Sequence, residues 1–363
     1  MTSEQCVRIK RWLVGSLTAA VVLLPAAVAH AKDDKDAKVA KHTKAHGSAV
    51  VQTAHGAKGS KTGKAKPIAS GKHGSKLAAR AAHRSLVRLE APAAPSFGHL
   101  YGLQKTDDAL DLKSSVALVV DQDTNEVLLS KNSEAVLPIA SITKLMTALV
   151  VTEAGLPLDE PLTVTQEDVD ATAGSRSRLK VGTELKRGDM LHLALMASEN
   201  RAAHVLGRNY PGGVQPFVSA MNAKAVSLGM ADTHYVEPTG LSSSNQSSAQ
   251  DLTRLVRAAF LHPIIRDLST SPEAVVQVGR QQVQFHSTNG LVRNPQWEIG
   301  LQKTGYISAA GRCLVMQAQL AGRSLIMVLL DSAGKYSRIG DAERIRKWLA
   351  SVPIIPAAQA QPR

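Results

Sequence analysis

Ser141-Ile142-Thr143-Lys144 places a hydroxyl and an amine three residues apart where a helix-patterned run begins, so both side chains leave one face. The start of a helix carries partial positive charge, which favours an oxyanion forming beside the serine. A serine needs a base to become a nucleophile, and an unprotonated lysine within hydrogen-bond distance can serve. Lysine ordinarily titrates near 10.4, and bringing it to about 7 requires some 4–5 kcal/mol of preference for the neutral form. Desolvation and a second nearby cation are the two means.

The spacing alone proves little, since roughly two Ser-x-x-Lys matches are expected by chance in such a chain. Three occur: Ser141/Lys144, Ser177/Lys180 and Ser332/Lys335. The second lies in the polar stretch Gly174 to Gly182, and the third contains Gly334 directly after a strand pattern. Only Ser141 has an apolar-periodic helix behind it, through Ile142, Leu145, Met146, Leu149 and Val150. Ser198-Glu199-Asn200 falls between two helix patterns. There a hydroxyl could relay a proton to a leaving amine and the Asn amide could hold a substrate carbonyl; the competing reading is a helix cap. Lys303-Thr304-Gly305 ends a strand pattern, with Tyr306 next. The lysine would set a cation beside the nucleophile, the threonine hydroxyl would bond a carboxylate, and the glycine would let a substrate backbone approach. Ser-x-Asn recurs at Ser130, Ser243 and Ser287, and Lys-Thr-Gly at Lys61, so placement must decide.

The elements that would hold these groups are legible as pattern. Ser115–Val120 reads as a buried strand, with Asp121–Asn125 turning into Glu126–Leu129. Helices are expected at Ser141–Glu153, Arg187–Met196, Arg201–Asn209, Val214–Leu228, Ala249–Leu261 and Ile339–Leu349. Asp251 caps or opens the fifth of these. Later strands are expected at Ala274–Val278, Gln282–His286, Gly300–Thr304, Arg312–Leu320 and Ser324–Leu330. Strands at both ends with helices between describe an α+β fold, an antiparallel sheet covered by helices. Trp297 either walls the cleft or packs in the core.

In order and placement these motifs resemble those of penicillin-binding proteins and class A β-lactamases. Across about Ser115 to Leu349 the chain is similar to the low-molecular-mass D-alanyl-D-alanine peptidases, S11-like. The residues that carry this are Leu137-Pro138-Ile139-Ala140 before Ser141, Met196 to Ala203, Glu237-Pro238-Thr239-Gly240-Leu241, and Lys303 to Val315. The D-alanyl-D-alanine endopeptidase branch, which cuts peptidoglycan cross-links, fits best. Only 58 residues follow Gly305, and the end from Pro353 to Arg363 is Pro- and Ala-rich, where related carboxypeptidases carry a second β-rich domain and an amphipathic anchor. The resemblance implies a β-lactamase/transpeptidase-like fold, a five-stranded antiparallel sheet flanked by helices with an inserted helical subdomain. It implies Ser141 as acylated nucleophile, Lys144 as base, and Ser198 as proton relay. Asn200, Lys303, Thr304 and Gly305 would bind substrate, and the backbone N–H groups of Ser141 and Tyr306 would form the oxyanion hole. No metal or other cofactor is expected, and β-lactam antibiotics would act as covalent inhibitors. The alternatives are a carboxypeptidase trimming pentapeptide ends, a β-lactamase using Glu237 to activate water, or a non-catalytic envelope-binding protein. Leu241 stands where the β-lactamase loop has Asn.

Charge and composition divide the rest. Of the formal +13, residues 32–92 hold 14 basic and 4 acidic side chains, and residues 93–363 are nearly balanced at 26 and 25. A nucleic-acid enzyme with a basic active face is thereby disfavoured. Residues 1–31 read as a signal peptide: Arg8, Lys10 and Arg11, an apolar run from Trp12 to Ala27, then Ala29-His30-Ala31. Residues 32–92 form a low-complexity segment expected to be disordered, suited to an anionic envelope surface and to no specific nucleic acid. A linker is expected over 93–113, the catalytic domain over 114–350 and a flexible tail over 351–363. Removal of the signal would take Cys6 with it, leaving Cys313 without a disulfide partner. The expected location is the periplasm, free or peripheral to membrane or wall. There is no Gly-x-Ser-x-Gly, His-Glu-x-x-His, Cys-x-x-Cys or Walker loop, and His204, His234 and His286 are scattered.

Overall fold

The computed structural model describes residues 94–351. The chain enters through α1 (Phe97–Leu100), forms the hairpin of β1 (Ser114–Asp121) and β2 (Val127–Lys131), and passes β3 (Leu137–Pro138) into α2 (Thr143–Glu153). A helical lobe follows. It holds the paired strands β4 (Pro161–Thr163) and β5 (Glu184–Lys186) with α3 (Gln166–Ala171) between them, then α4 (Arg187–Met196), α5 (Asn200–Arg208) and α6 (Val214–Ser227). The chain returns through β6 (Gln246–Ser247), α7 (Ala249–Phe260), α8 (Pro263–Thr270) and the hairpin of β7 (Glu273–Val278) and β8 (Gln281–His286). Three long strands, β9 (Glu298–Ile307), β10 (Gly311–Leu320) and β11 (Arg323–Ser332), precede the closing helix α9 (Ser337–Ser351).

The sheet is antiparallel in the order β2-β1-β11-β10-β9, which makes β9 an edge. Every residue of β1 is buried, so this central strand needs cover on both faces. Alternation sorts the cover. Val116, Leu118, Val120, Val315, Ile326 and Val328 join the core under α2 and α7, while Ala117, Val119, Leu314, Met316, Met327 and Leu329 join a second core with Ala342, Ile345 and Leu349 of α9. α2 is buried nearly all round, and each fully buried Leu145, Met146 or Leu149 contributes about 1.5–3 kcal/mol. This helix therefore holds the lobe to the sheet and fixes what stands at its own N-terminus.

The α+β fold with a five-stranded sheet and an inserted helical lobe matches the expectation, with three differences. The expected linker over 93–113 is folded from residue 94 on. Phe97 N donates to Ala309 O at 2.9 Å, the buried Lys131 meets the half-buried Asp108 at 2.8 Å, and Asp341 accepts from the N–H groups of Lys113 and Ser114. These residues belong to the same compact unit as the sheet. The strands expected at 274–278 and 282–286 form a separate two-stranded hairpin outside the main sheet. Helices α3 and α8 were not foreseen: α3 has little apolar signal and is held by a Thr165/Asp168 capping box, and α8 opens with Pro263 at its first turn. The segments read as signal peptide (1–31) and basic low-complexity region (32–92), and all but the first residue of the tail (351–363), lie outside the described residues.

Candidate active site

Ser141 is delivered by a short, tied approach. β3 pairs with β6, Ile139 N donates to Asn245 O at 3.1 Å, and Ala140 takes a positive φ of 48°. A single 3-10 turn over Ala140–Ile142 then runs into α2, with Thr143 Oγ1 donating back to Ala140 O at 2.9 Å. The one-face geometry read from the spacing is realised: Lys144 Nζ lies 2.9 Å from Ser141 Oγ, with Ser141 partly exposed and Lys144 fully buried.

Lys144 Nζ has two further neighbours, Asn200 Oδ1 at 2.7 Å and the Thr239 carbonyl at 2.5 Å. A neutral amine has two N–H donors and one lone pair. Two acceptors and one hydroxyl therefore suit it, with the lone pair turned to Ser141. Burial pushes its pKa down to about 7, against the pull of the Glu237 and Glu199 carboxylates, which favour the charged form.

The second wall comes from the lobe. Ser198 sits between α4 and α5 at φ 60°, a left-handed conformation held by Glu199 N donating to Leu193 O at 3.1 Å. Together with Ala140, this puts two strained non-glycine residues at one cleft. Ser198 does not cap α5, whose N-cap is Glu199, with no side-chain cap bond. Its Oγ instead accepts from Lys303 Nζ at 2.8 Å, and the same nitrogen also donates to Thr304 O at 2.9 Å. Lys303 is fully buried, and burial, Lys144 and then Arg338 hold its pKa well below the usual lysine range.

β9 forms the third wall. A Cβ on Gly305 would stand 3.0 Å from Ile139 O and 3.1 Å from Ser141 N, so glycine lets the strand edge close on the serine turn. Tyr306, next along, presents a half-exposed ring under the Arg312 guanidinium at 4.3 Å. The structure thus gathers Ser141, Lys144, Ser198, Asn200, Lys303, Thr304, Gly305 and Tyr306. The decoys are scattered. Ser177 Oγ accepts from Leu179 N while Lys180 is exposed, Lys335 projects over Tyr336, and Lys61-Thr62-Gly63 lies outside the described residues. Trp297 is in the second core, donating to Glu343 at 2.6 Å, and Asp251 sits inside the first turn of α7, which Ser248 caps. His204 is bound to the buried Asp168 at 2.7 Å.

Two residues and one role lie outside the expectations. Glu237, which a β-lactamase would use to activate water, instead closes its own loop: it accepts at 2.6 Å from Thr239 N, Thr239 Oγ1 and Gly240 N, and at 3.0 Å from Asn245 Nδ2. This aims the Thr239 carbonyl at Lys144. Glu followed by Thr-Gly two and three residues on is the local signal. Arg338, at the start of α9, is nine-tenths buried, and among the described residues its Nε and Nη1 have no partner, an open demand for an anion near Lys303. Thr288, between β8 and β9, stands 2.5 Å from Thr304, hydroxyl to hydroxyl. Nothing local marks the last two.

Residues 103–334 match the peptidase S11 family described as D-alanyl-D-alanine carboxypeptidase. Over 252 residues the chain is 50% identical to a D-alanyl-D-alanine endopeptidase of Pseudomonas aeruginosa, covering 68% of this chain and 81% of the relative. It is 44% identical over 276 residues to the Escherichia coli protein of the same name, covering 76% and 89%. Among solved structures, the Streptomyces K15 DD-transpeptidase superposes with a TM-score of 0.62 at 25% identity, over 68% of this chain and all of that one.

Proposed function

The chain belongs to the S11 family of D-alanyl-D-alanine peptidases, and from that premise we propose that it is a penicillin-binding serine D,D-endopeptidase that hydrolyses D-Ala-(diamino acid) cross-links of peptidoglycan. The observation that carries the reading is the fully buried Lys144, its amine 2.9 Å from Ser141 Oγ and titrating at about 7. The endopeptidase branch is supported by two relatives of that name at 50% and 44% identity.

In this mechanism Lys144 takes the Ser141 proton as Oγ attacks the D-Ala carbonyl. The backbone N–H groups of Ser141 and Tyr306 receive the oxyanion, each donor being worth about 2.7–4 kcal/mol. Collapse breaks the C–N bond, and Ser198, 2.8 Å from Lys303, gives its proton to the departing amine and takes up the one held by Lys144, which leaves Lys144 neutral for the second step. Water then adds to the acyl carbon, returning the serine and releasing the D-Ala carboxylate. Lys303, Thr304 and Arg338 supply the cationic, hydroxyl-bearing end where a substrate carboxylate sits. Asn200 both steadies Lys144 and lines the cleft. A β-lactam enters the same first step and stalls at the second. Glu237 has its oxygens engaged within its own loop, which disfavours a β-lactamase. Residues 1–31 direct the chain to the periplasm, and residues 32–92 hold it to anionic envelope surface.

The test offers the purified protein cross-linked muropeptide dimers together with monomeric pentapeptide and reads the products by mass spectrometry. Dimers falling to monomers, with Ser141→Ala silent, is the expected result. Loss of one terminal alanine from the pentapeptide alone would move the protein to the carboxypeptidases.

A further inference from the structure

The buried Thr304 hydroxyl has, among the described residues, one side-chain partner: the Thr288 hydroxyl at 2.5 Å. Thr288 is itself exposed, yet its position is set by buried neighbours. Ser287 N donates to Pro272 O at 2.8 Å, Thr288 N donates to Met196 O at 3.2 Å, and the buried Asn289 accepts from Leu291 N at 3.1 Å. Thr288 Oγ1 also lies 3.5 Å from that Met196 carbonyl, two residues before Ser198. A hydroxyl has one proton to give and two lone pairs to receive, so only two orderings of this chain of oxygens satisfy both threonines. In one, Thr304 donates to Thr288 and Thr288 turns to Met196 O. In the other, Thr288 donates to Thr304, which frees the Thr304 proton for a ligand.

We infer that Thr288 is a positioning residue that orients the Thr304 hydroxyl toward the carboxylate flanking the scissile bond, switching its own proton from the Met196 carbonyl to Thr304 when that carboxylate arrives. The inference rests on the proposed function, in which Thr304 meets a substrate carboxylate. It assigns work to a residue outside the three motifs and couples occupancy of the carboxylate end to the strand of chain that carries Ser198. Because Thr288 is exposed, water can stand in part for its hydroxyl, and the effect of losing it is moderate.

The experiment measures the second-order rate at which the full chain is acylated by benzylpenicillin and by its methyl ester. Thr288→Val keeps the branched shape and removes the hydroxyl. It is expected to slow acylation by the acid about fivefold, the size of one neutral hydrogen bond, and to leave the ester unchanged. Thr288→Ser restores the acid rate, and in a Thr304→Val background Thr288→Val adds nothing. Equal slowing with acid and ester, or additivity with Thr304→Val, overturns the inference, since either would mean a structural role. Absence of Ser141-dependent acylation in the parent protein instead overturns the functional reading beneath it.

Discussion

Ser332 and Lys335 repeat the spacing of Ser141 and Lys144 with the burial of the two side chains exchanged. In the first pair the serine is partly exposed and the lysine has no solvent contact; in the second the serine is buried, donating to Ser337 Oγ at 2.8 Å, and the lysine is exposed. Backbone context produces the exchange. Ser141 stands on a 3-10 turn that flows into α2, so residue 144 points back along the same face into the core. Ser332 ends β11, and Gly334 at φ 122° turns the chain before α9 begins at Ser337. Nucleophilic chemistry needs an accessible hydroxyl and a desolvated amine, and only one of the two pairs supplies both.

The largest effects break the comparison outright. Ser141→Ala should abolish penicillin labelling and lower cross-link hydrolysis by about 10³-fold or more, while Ser332→Ala keeps both. Labelling that persists in Ser141→Ala would place the nucleophile elsewhere. Next, Lys144→Arg substitutes a group that does not deprotonate, and acylation should fall by about 10²–10⁴-fold. Lys335→Arg should leave the acylation rate where it was. A tolerated Lys144→Arg would show that the base is another residue.

What the sequence made legible and what it hid divide along the range of the contacts. The pair at Ser141, the loop of Ser198 and Asn200, and the strand of Lys303 to Tyr306 each carry a local pattern of spacing and periodicity, and the fold brings them together. Arg338 and Thr288 reach the site only because α9 packs against the sheet and the β8–β9 connection bonds both to Met196 at the end of α4 and to Thr304 on β9, and such contacts leave no local trace. The linker expected over 93–113 failed for the same reason. Its Pro- and Ala-rich start gives no sign that Asp108 will meet Lys131 or that Asp341, far along the chain, will hold Ser114.

A subtler test sharpens what desolvation contributes. Lys144 must be neutral to accept a proton, so acylation should rise with pH and reach half its plateau near pH 7. Glu199 is buried, its Oε2 has no partner among the described residues, and its charge favours protonated Lys144. Glu199→Gln removes that preference for the cation, lowers the lysine pKa further, and so moves the rising limb to lower pH. The pH profile of penicillin acylation reads this directly. A limb that stays in place or moves up would mean that the titrating group is not Lys144.

The smallest effect separates the turns that flank each pair. Gly240, at φ 83°, closes the Glu237 loop against the serine turn, and a Cβ there would lie 1.9 Å from Ala140 O. Gly334, at φ 122°, has only Ser337 in reach of an added Cβ, at 3.5 Å. Both alanine substitutions incur backbone strain of about 1–3 kcal/mol, seen as a lower melting temperature. Only Gly240→Ala also forces the Thr239–Gly240 segment away from Ala140, which shifts the carbonyl that holds Lys144 and the turn that presents Ser141. Gly240→Ala should therefore lose more stability than Gly334→Ala, because its Cβ meets backbone, and it alone should slow acylation at temperatures where both remain folded. Equal acylation rates would mean that the Glu237 loop serves the fold and not the base.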